Sequence, residues 1–292
     1  MITVTKKPNT TGRPELKKES IIKSVIIDDF YSAALKRRVK MEVLLPPWYD
    51  ETTDHHFPVL YINDGQSLKD DKMREALIDC YHRGVIPPVI VVGIHAHNRM
   101  QEYGVGASPD YRNRGGKANK YSRFMTNELM PLINKNFRTK TGALNTAIAG
   151  FSLGGLSALD IAWNNPQLFS CIGVFSGSLW WRSKGYKDGY NDATDKIAHN
   201  MIRNSRKREG LRLWFQCGTN DEAADRNNNG VIDSIDDTLD LIHELQHIGY
   251  QLKKEIDYVE VANGFHNEKT WGDVMPLFLE FAFSKGNSTI SG

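Results

Sequence analysis

The sequence predicts an α/β protein: a mostly parallel central sheet with helices on both faces and an antiparallel edge near the N-terminus. Three observations lead there. Apolar runs of strand length alternate with longer segments of helical periodicity along almost the whole chain, the pattern of successive βα units. Some of those runs are apolar at nearly every position, as expected of strands covered on both faces. The chain has 292 residues, 40% hydrophobic and 25% charged, which suits a globular protein with one large α/β domain.

Taken in order, residues 24–28 and 38–45 are strand-like and separated by a short polar turn, so they read as an antiparallel pair at a sheet edge. Residues 58–62 form a buried strand that closes on Asn63-Asp64-Gly65-Gln66. Residues 72–81 place Met73, Ala76, Leu77 and Cys80 on one helical face, with Gly84 as the stop. Residues 89–94 are a further buried strand, followed by a long polar loop over 95–116. A long helix is expected over 118–137, then strands at 146–149, 171–175, 213–217 and 256–261, and a closing helix over 270–283. No repeat or linker divides this pattern. It implies an N-terminal extension (1–20), a single α/β domain (21–285) and a short tail (286–292).

Bulk properties exclude several function classes. A net charge of +2 argues against nucleic-acid or anionic-membrane partners. The basic cluster Arg203, Arg206, Lys207 and Arg208 reads as a solvated helix end or loop. No apolar stretch approaches the length of a membrane span, and the first 14 residues lack the apolar core of a secretory signal. Cys80, Cys171 and Cys217 are far apart, two of them inside strand-like runs, so no disulfide framework is expected. A cytoplasmic setting follows.

The chemistry concentrates at Gly150-Phe151-Ser152-Leu153-Gly154. An apolar strand runs into this segment and a helix-like stretch leaves it, which is the strand–turn–helix context of a nucleophile elbow. The turn is tight enough to require small flanking residues. It presents the Ser152 hydroxyl above the sheet edge and aims the Leu153 amide at a developing oxyanion. A hydrolase of this kind needs an acid and then a histidine at later strand ends. Asp221 and Glu222 follow the strand at 213–217, and His266 follows the strand at 256–261 on a glycine-bearing turn. His266 would take the Ser152 proton and return it to the leaving alcohol, with a carboxylate fixing its tautomer. His55, His56, His82, His199, His243 and His247 fall in loops or on helix surfaces, and His95 or His97 stands where a pocket could be lined. The amide of Gln66, just past the strand at 58–62, is the candidate for the second oxyanion donor.

These segments together resemble the Putative esterase family, which includes esterase D, feruloyl esterases and enterochelin and salmochelin esterases. The matching pieces are Leu45-Pro46-Pro47 with Tyr49, the run from Pro58 to Gln66, Glu102-Tyr103 and the run from Glu128 to Ile133. They continue with Gly150 to Gly155, Phe175 to Trp181, Gly218 to Asp221 and Gly264-Phe265-His266. They span residues 25–283, and their joint order is far more specific than any one piece. The resemblance implies the α/β-hydrolase fold and selects Asp221 over Glu222 as the acid. It also implies a small-molecule ester as substrate, of siderophore or hydroxycinnamoyl type, and no cofactor for catalysis. Tyr103, Trp180 and Trp181 would then either line a pocket for a flat group or belong to the core.

The chain departs from the family's simplest members after Asp221. Residues 225–236 follow a calcium-loop pattern. Oxygen side chains Asp225, Asn227, Asn229, Asp233 and Asp236 stand at positions 1, 3, 5, 9 and 12, Gly230 at 6 and the Val231 carbonyl at 7. Aspartate replaces the usual glutamate at position 12. A structural calcium ion is expected there, stiffening the segment that carries Asp221; the competing interpretation is a turn in which Ser234 caps the next helix with Asp237. That helix contains His243-Glu244-Leu245-Gln246-His247, the spacing of zinc proteases. Its apolar stripe of Leu239, Ile242 and Leu245 turns the histidines toward solvent. The sequence therefore points to an ester hydrolase working through an acyl-serine. The rivals are a non-catalytic, calcium-binding hydrolase-fold module and, remotely, a zinc metalloprotease.

Overall fold

In a computed structural model, residues 22–106 and 108–284 are described. The expected extension (1–20) and tail (286–292) lie outside them. The chain begins with a hairpin, β1 (Lys23–Ser32) and β2 (Arg37–Leu45), whose register shifts between Ile27 and Phe30. Then follow β3 (Val59–Asn63), α1 (Met73–Arg83), β4 (Ile90–Ile94) and a single turn, α2 (Arg99–Glu102), inside the segment expected to be loop. The helix expected over 118–137 is two helices, α3 (Ala118–Phe124) and α4 (Met130–Asn136), joined by a π-helical turn over Met125–Leu129. Pro131, in the first turn of α4, has no N–H to continue the ladder of the preceding helix.

The second half is β5 (Thr146–Phe151), α5 (Leu153–Asn164), β6 (Cys171–Phe175), α6 (Asp192–Asp195), α7 (Ile197–Arg203), β7 (Arg212–Asn220), α8 (Asp233–His247), β8 (Ile256–Phe265) and α9 (Glu268–Phe283). The strands form one sheet in the order β1-β2-β4-β3-β5-β6-β7-β8. Strands β4, β3, β5, β6, β7 and β8 run parallel, and β1 and β2 form the antiparallel edge. The pleat sends alternate residues to opposite faces. Val59, Tyr61, Ile148, Ile172 and Phe215 join the core beneath α3, α4, α5, α7 and α8, whereas Leu60, Ile62, Ala147, Cys171 and Trp214 join the core beneath α1 and α9. Among the described residues no helix is long and apolar enough to cross a membrane.

This topology matters for the site because parallel strands deliver their carboxyl ends to a single edge. The loops after β3, β5, β6, β7 and β8 meet there, the usual place for ligands in open α/β sheets.

Candidate active site

Ser152 is the pivot between β5 and α5, with φ 53° and ψ −120°, a conformation that costs a non-glycine residue about 1–3 kcal/mol. The surroundings hold it there. The Ser152 N–H donates to the Phe175 carbonyl at 2.8 Å, and the Ser152 carbonyl accepts from the N–H groups of Ser178 (3.0 Å), Gly155 (3.1 Å) and Leu156 (3.2 Å). Its hydroxyl lies 3.2 Å from the Ser178 hydroxyl. The turn also depends on Gly154: a Cβ there would stand 2.7 Å from Asp64 Oδ2 and 3.1 Å from the Asn63 side chain. The loop after β3 therefore rests directly on the elbow.

That loop is fixed from behind. Asn63 Nδ2 donates to the Gly154 carbonyl at 2.8 Å, and its Oδ1 accepts from the Tyr121 hydroxyl at 2.7 Å. The Asp64 N–H donates to the Tyr103 hydroxyl at 3.1 Å, and Tyr103 packs edge-on against Tyr121. Gln66 spans the gap to the loop after β4, its Nε2 donating to Asp64 Oδ1 and its Oε1 accepting from the Ala96 N–H. Among the described residues the backbone N–H groups of Leu153 and Gln66 have no acceptor, as expected of donors at the start of helical turns. Both are available to an anion, and the positive end of α5 favours one.

Asp64 is 4% exposed and makes a two-pronged ion pair with Arg99, at 2.7 and 2.9 Å. Burial pushes its carboxyl above the usual range, and the guanidinium offsets part of that rise. Arg99 is only half-buried, so its charge reaches the mouth of the site.

Strands β7 and β8 bring Asp221 and His266 to the same edge as Ser152. Gly218 lets the two strand ends touch, since a Cβ there would lie 2.4 Å from the Gly264 carbonyl oxygen and 2.7 Å from Asp221 Oδ1. Burial raises the Asp221 carboxyl, opposed by hydrogen bonding toward Ser176 and Gly218 and by the charge of His266. The protein packed around His266 lowers its imidazole, with the Asp221 charge opposing and the Arg99 charge reinforcing. Glu222 instead feels Asp233 and Asp237 near the start of α8. Among the described residues no hydrogen bond joins Ser152 to His266 or His266 to Asp221; such bonds are often long in unliganded sites and tighten on binding.

The aromatic residues expected in a pocket have other places. Tyr103 and Trp181 are fully buried, as the core alternative has it. Tyr103 props the Asp64 loop, and Trp181 packs against Gly104 and Gly115 with its indole N–H donating to the Ser108 carbonyl at 3.3 Å. Trp180 is half-buried beneath the Arg114 guanidinium, 4.9 Å away. Ser178, Ser176 and Trp271, to which the sequence assigned no role, stand against Ser152, Asp221 and His266 respectively. Their one signal was position, just past a strand end or one helical turn past His266.

In the 225–236 loop, Asp225 accepts from the N–H groups of Asn229 and Gly230, at 3.1 and 3.0 Å. Asp236 Oδ2 accepts from the side-chain amides of Asn227 and Asn229, at 3.0 and 2.9 Å. Asp233 is engaged elsewhere, accepting from the Arg226 N–H at 2.8 Å and pairing with its guanidinium at 3.2 Å. Arg226 also binds Asp192 and Asp237, tying the loop to α6 and α8. Ser234 does not cap α8: Ile232 precedes the helix, and the Ser234 hydroxyl is buried without a partner among the described residues. His243 and His247 are exposed neighbours, as expected, but Leu239 is 43% exposed, and Ile235 and Leu241 complete the buried face in its stead. Among the described residues no three of His, Cys, Asp and Glu gather as a metal site, there or elsewhere.

Comparison with known proteins agrees with this architecture. The family described as Putative esterase matches residues 32–279. The uncharacterized protein YbbA of Bacillus subtilis is 30% identical over 148 residues, covering 49% of this chain and 58% of its own. An endo-1,4-beta-xylanase/feruloyl esterase of Xylanibacter ruminicola is 28% identical over 160 residues, covering 52% of this chain and 21% of its own. The chain thus spans 58% or less of the length of these two curated relatives. Among solved structures, the enterobactin esterase of Shigella flexneri superposes with a TM-score of 0.68 at 22% identity, over 92% of this chain and 60% of that one. At that identity the likeness is one of fold, and the fold is that of the α/β hydrolases.

Proposed function

The chain belongs to the Putative esterase family, and from that premise we propose that it hydrolyses a carboxylic ester through an acyl-Ser152 intermediate. One observation carries the proposal. Ser152 sits in a strained turn at the positive end of α5, at the sheet edge where Asp221 and His266 also emerge. His266 takes the Ser152 proton as the hydroxyl attacks the ester carbon, and gives it to the leaving alcohol as the tetrahedral intermediate collapses. Asp221 holds the imidazole in the required tautomer. The amides of Leu153 and Gln66 receive the oxyanion. A water then repeats the cycle to release the acid.

The substrate we propose is a small aromatic ester of siderophore or hydroxycinnamoyl type. The relatives named for enterobactin and ferulic esters support it. Fluorophosphonate labelling of Ser152, with turnover of p-nitrophenyl acetate lost in Ser152→Ala, tests the mechanism. A catecholoyl-serine ester and methyl ferulate test the acyl class. Folded protein that takes no label would favour the non-catalytic binding module.

We also propose that the 225–236 loop holds a structural calcium ion through Asp225, Asn227, Asn229, Asp236 and the Val231 carbonyl. The hydrogen bonds that hold Asp225 to Asn229 and Gly230 and Asp236 to Asn227 and Asn229 support this, whereas Asp233, the remaining ligand that the spacing suggests, is bound to Arg226. Two carboxylates form a donor set of low charge, so the affinity belongs with the weaker loops, about 10⁻⁴–10⁻³ M. A melting temperature unchanged between chelator and 10 mM calcium, about ten times that dissociation constant, would remove the ion.

A further inference from the structure

Both carboxylate oxygens of Asp221 are sealed from solvent, and among the described residues neither has a partner that meets hydrogen-bond geometry. A buried carboxylate that must stay ionised needs a donor. A hydroxyl that acts on this carboxylate belongs to Ser176, which follows β6 directly, is 2% exposed and is held at φ 44°. Glycine fits such a backbone better than serine does, so the hydroxyl rather than the backbone accounts for this residue type. The Ser176 Oγ accepts the indole N–H of Trp271 at 2.9 Å. A hydroxyl has one proton to give; with the indole bonded to a lone pair, that proton is free for an acceptor. Gln216 Oε1 lies at the 3.5 Å limit. The Asp221 carboxylate is the other choice, and Ser176 holds its pKa down. A charged acceptor outcompetes a long neutral contact.

Trp271 has two further contacts in the site. Its ring stacks on Phe151, the residue before the nucleophile, with centroids 4.8 Å apart and planes 21° apart. It also meets the His266 imidazole edge to face, at 5.3 Å and 78°. One indole therefore touches the nucleophile strand and the candidate base directly, and the candidate acid through Ser176.

We propose that Trp271 and Ser176 form a positioning relay, in which the indole N–H orients the Ser176 hydroxyl to donate to Asp221 while the indole ring sets the plane of His266. This rests on the proposed triad. Neither residue touches the reacting atoms, so both act through Asp221 and His266.

The test uses Ser176→Gly, which removes the hydroxyl and relieves the backbone, so the protein should fold. Trp271→Phe keeps an aromatic ring against Phe151 and removes the N–H together with part of the ring. With p-nitrophenyl acetate, Ser176→Gly should lower kcat about 10–100-fold with melting temperature held or raised, and Trp271→Phe about 3–10-fold. Losing a donor concentrates charge on Asp221 and draws the shared proton more strongly. The acid limb of kcat/KM should therefore move up by about half a pH unit. Added to Asp221→Asn, Ser176→Gly should cost nothing more, because the residue it serves is already gone. If Asp221→Asn alone keeps near-normal turnover, the triad reading fails and the relay with it. If Asp221→Asn loses about 10³–10⁴-fold while Ser176→Gly keeps its rate and pH profile, or costs the same factor in both backgrounds, the relay alone is overturned.

Discussion

Gly218→Ala is the substitution in which the geometry makes its sharpest demand. The added carbon would stand 2.4 Å from the Gly264 carbonyl oxygen, 2.5 Å from its carbon and 2.7 Å from Asp221 Oδ1. Two of those atoms are backbone of β8, two residues before His266, and the third is the candidate acid. Carbon contacts relax near 3.5 Å, so the ends of β7 and β8 must part by roughly 1 Å. Overpacking of that kind costs about 1–3 kcal/mol, or roughly 2–10 °C in melting temperature for a protein of this size. The displacement separates Asp221 and His266 from Ser152 as well, and a 1 Å misplacement costs on the order of 10²-fold in rate. Steady-state kinetics with p-nitrophenyl acetate should show kcat falling by about that factor, with KM far less changed. Gly142→Ala is the control: it has no heavy atom within 4 Å and φ 94°, so it should lower the melting temperature and leave kcat alone. A Gly218→Ala enzyme with normal kcat and a normal melting temperature would refute the contact between these strand ends. A normal kcat with a lowered melting temperature would remove the two residues from the mechanism.

Two further outcomes follow from the electrostatics and a third from surface position. The kcat/KM profile should have its acid limb below the ordinary histidine value of about 6.5, because desolvation and Arg99 lower His266; Asp221→Asn, which removes the opposing charge, should move it lower still while kcat falls about 10⁴-fold, and an upward shift would contradict the pairing. Asp71 is fully buried beside Gly272, and burial pushes its carboxyl up to about 8. With a folded pKa above the unfolded one, its contribution is fully present below about pH 4 and is lost as pH rises toward 8. Asp71→Asn should therefore add roughly a few kcal/mol at pH 8 and nothing near pH 4, and urea melts showing the same difference at both would exclude it. His243→Ala with His247→Ala should leave esterase activity within about twofold, as surface changes far from a site do; its loss would reopen a role for that pair.

The parts of this protein that were legible in the sequence are those whose residues advertise a local constraint. Gly150 and Gly154 around Ser152 signal a turn that tolerates no larger side chain. Asp221 and His266 signal their place by standing just past apolar strands. The parts that were hidden depend on distant neighbours. Nothing local separates Tyr103, which props the Asp64 loop, from an aromatic residue facing a substrate. The same holds for Trp181, since the space it fills is made by Gly104 and Gly115 in another segment. The break in the 118–137 helix has a local cause in Pro131, but its form as a π-turn does not: Glu128, within it, accepts the Ala34 N–H of the first hairpin. Asp233 matched a calcium ligand by spacing, and only its ion pair with Arg226 shows it to be engaged elsewhere.

The strained residues themselves mark the site, independently of any motif. Among the described residues nine non-glycine residues have positive φ, and Asp64, Ser152, Ser176 and Asn263 lie at the carboxyl ends of β3, β5, β6 and β8. Three of the four carry interactions that a glycine would forfeit: the Arg99 pair at Asp64, the hydroxyl contact with Ser178 at Ser152 and the indole bond at Ser176. At about 1–3 kcal/mol each, this strain is a sizeable fraction of the 5–15 kcal/mol that a domain has in total. The sheet can carry it because each strained residue is pinned by a neighbouring strand or helix: Ser152 by Phe175, Ser176 by Gln216 and Asp64 by Tyr103. The edge that carries the proposed active site is thus the part of the fold where stability has been exchanged for orientation. Replacing Ser152 or Ser176 by glycine should relieve the backbone while abolishing turnover at Ser152 and lowering it about 10–100-fold at Ser176, whereas glycine at Lys36, at φ 54° in the β1–β2 turn, should relieve the same strain with activity intact.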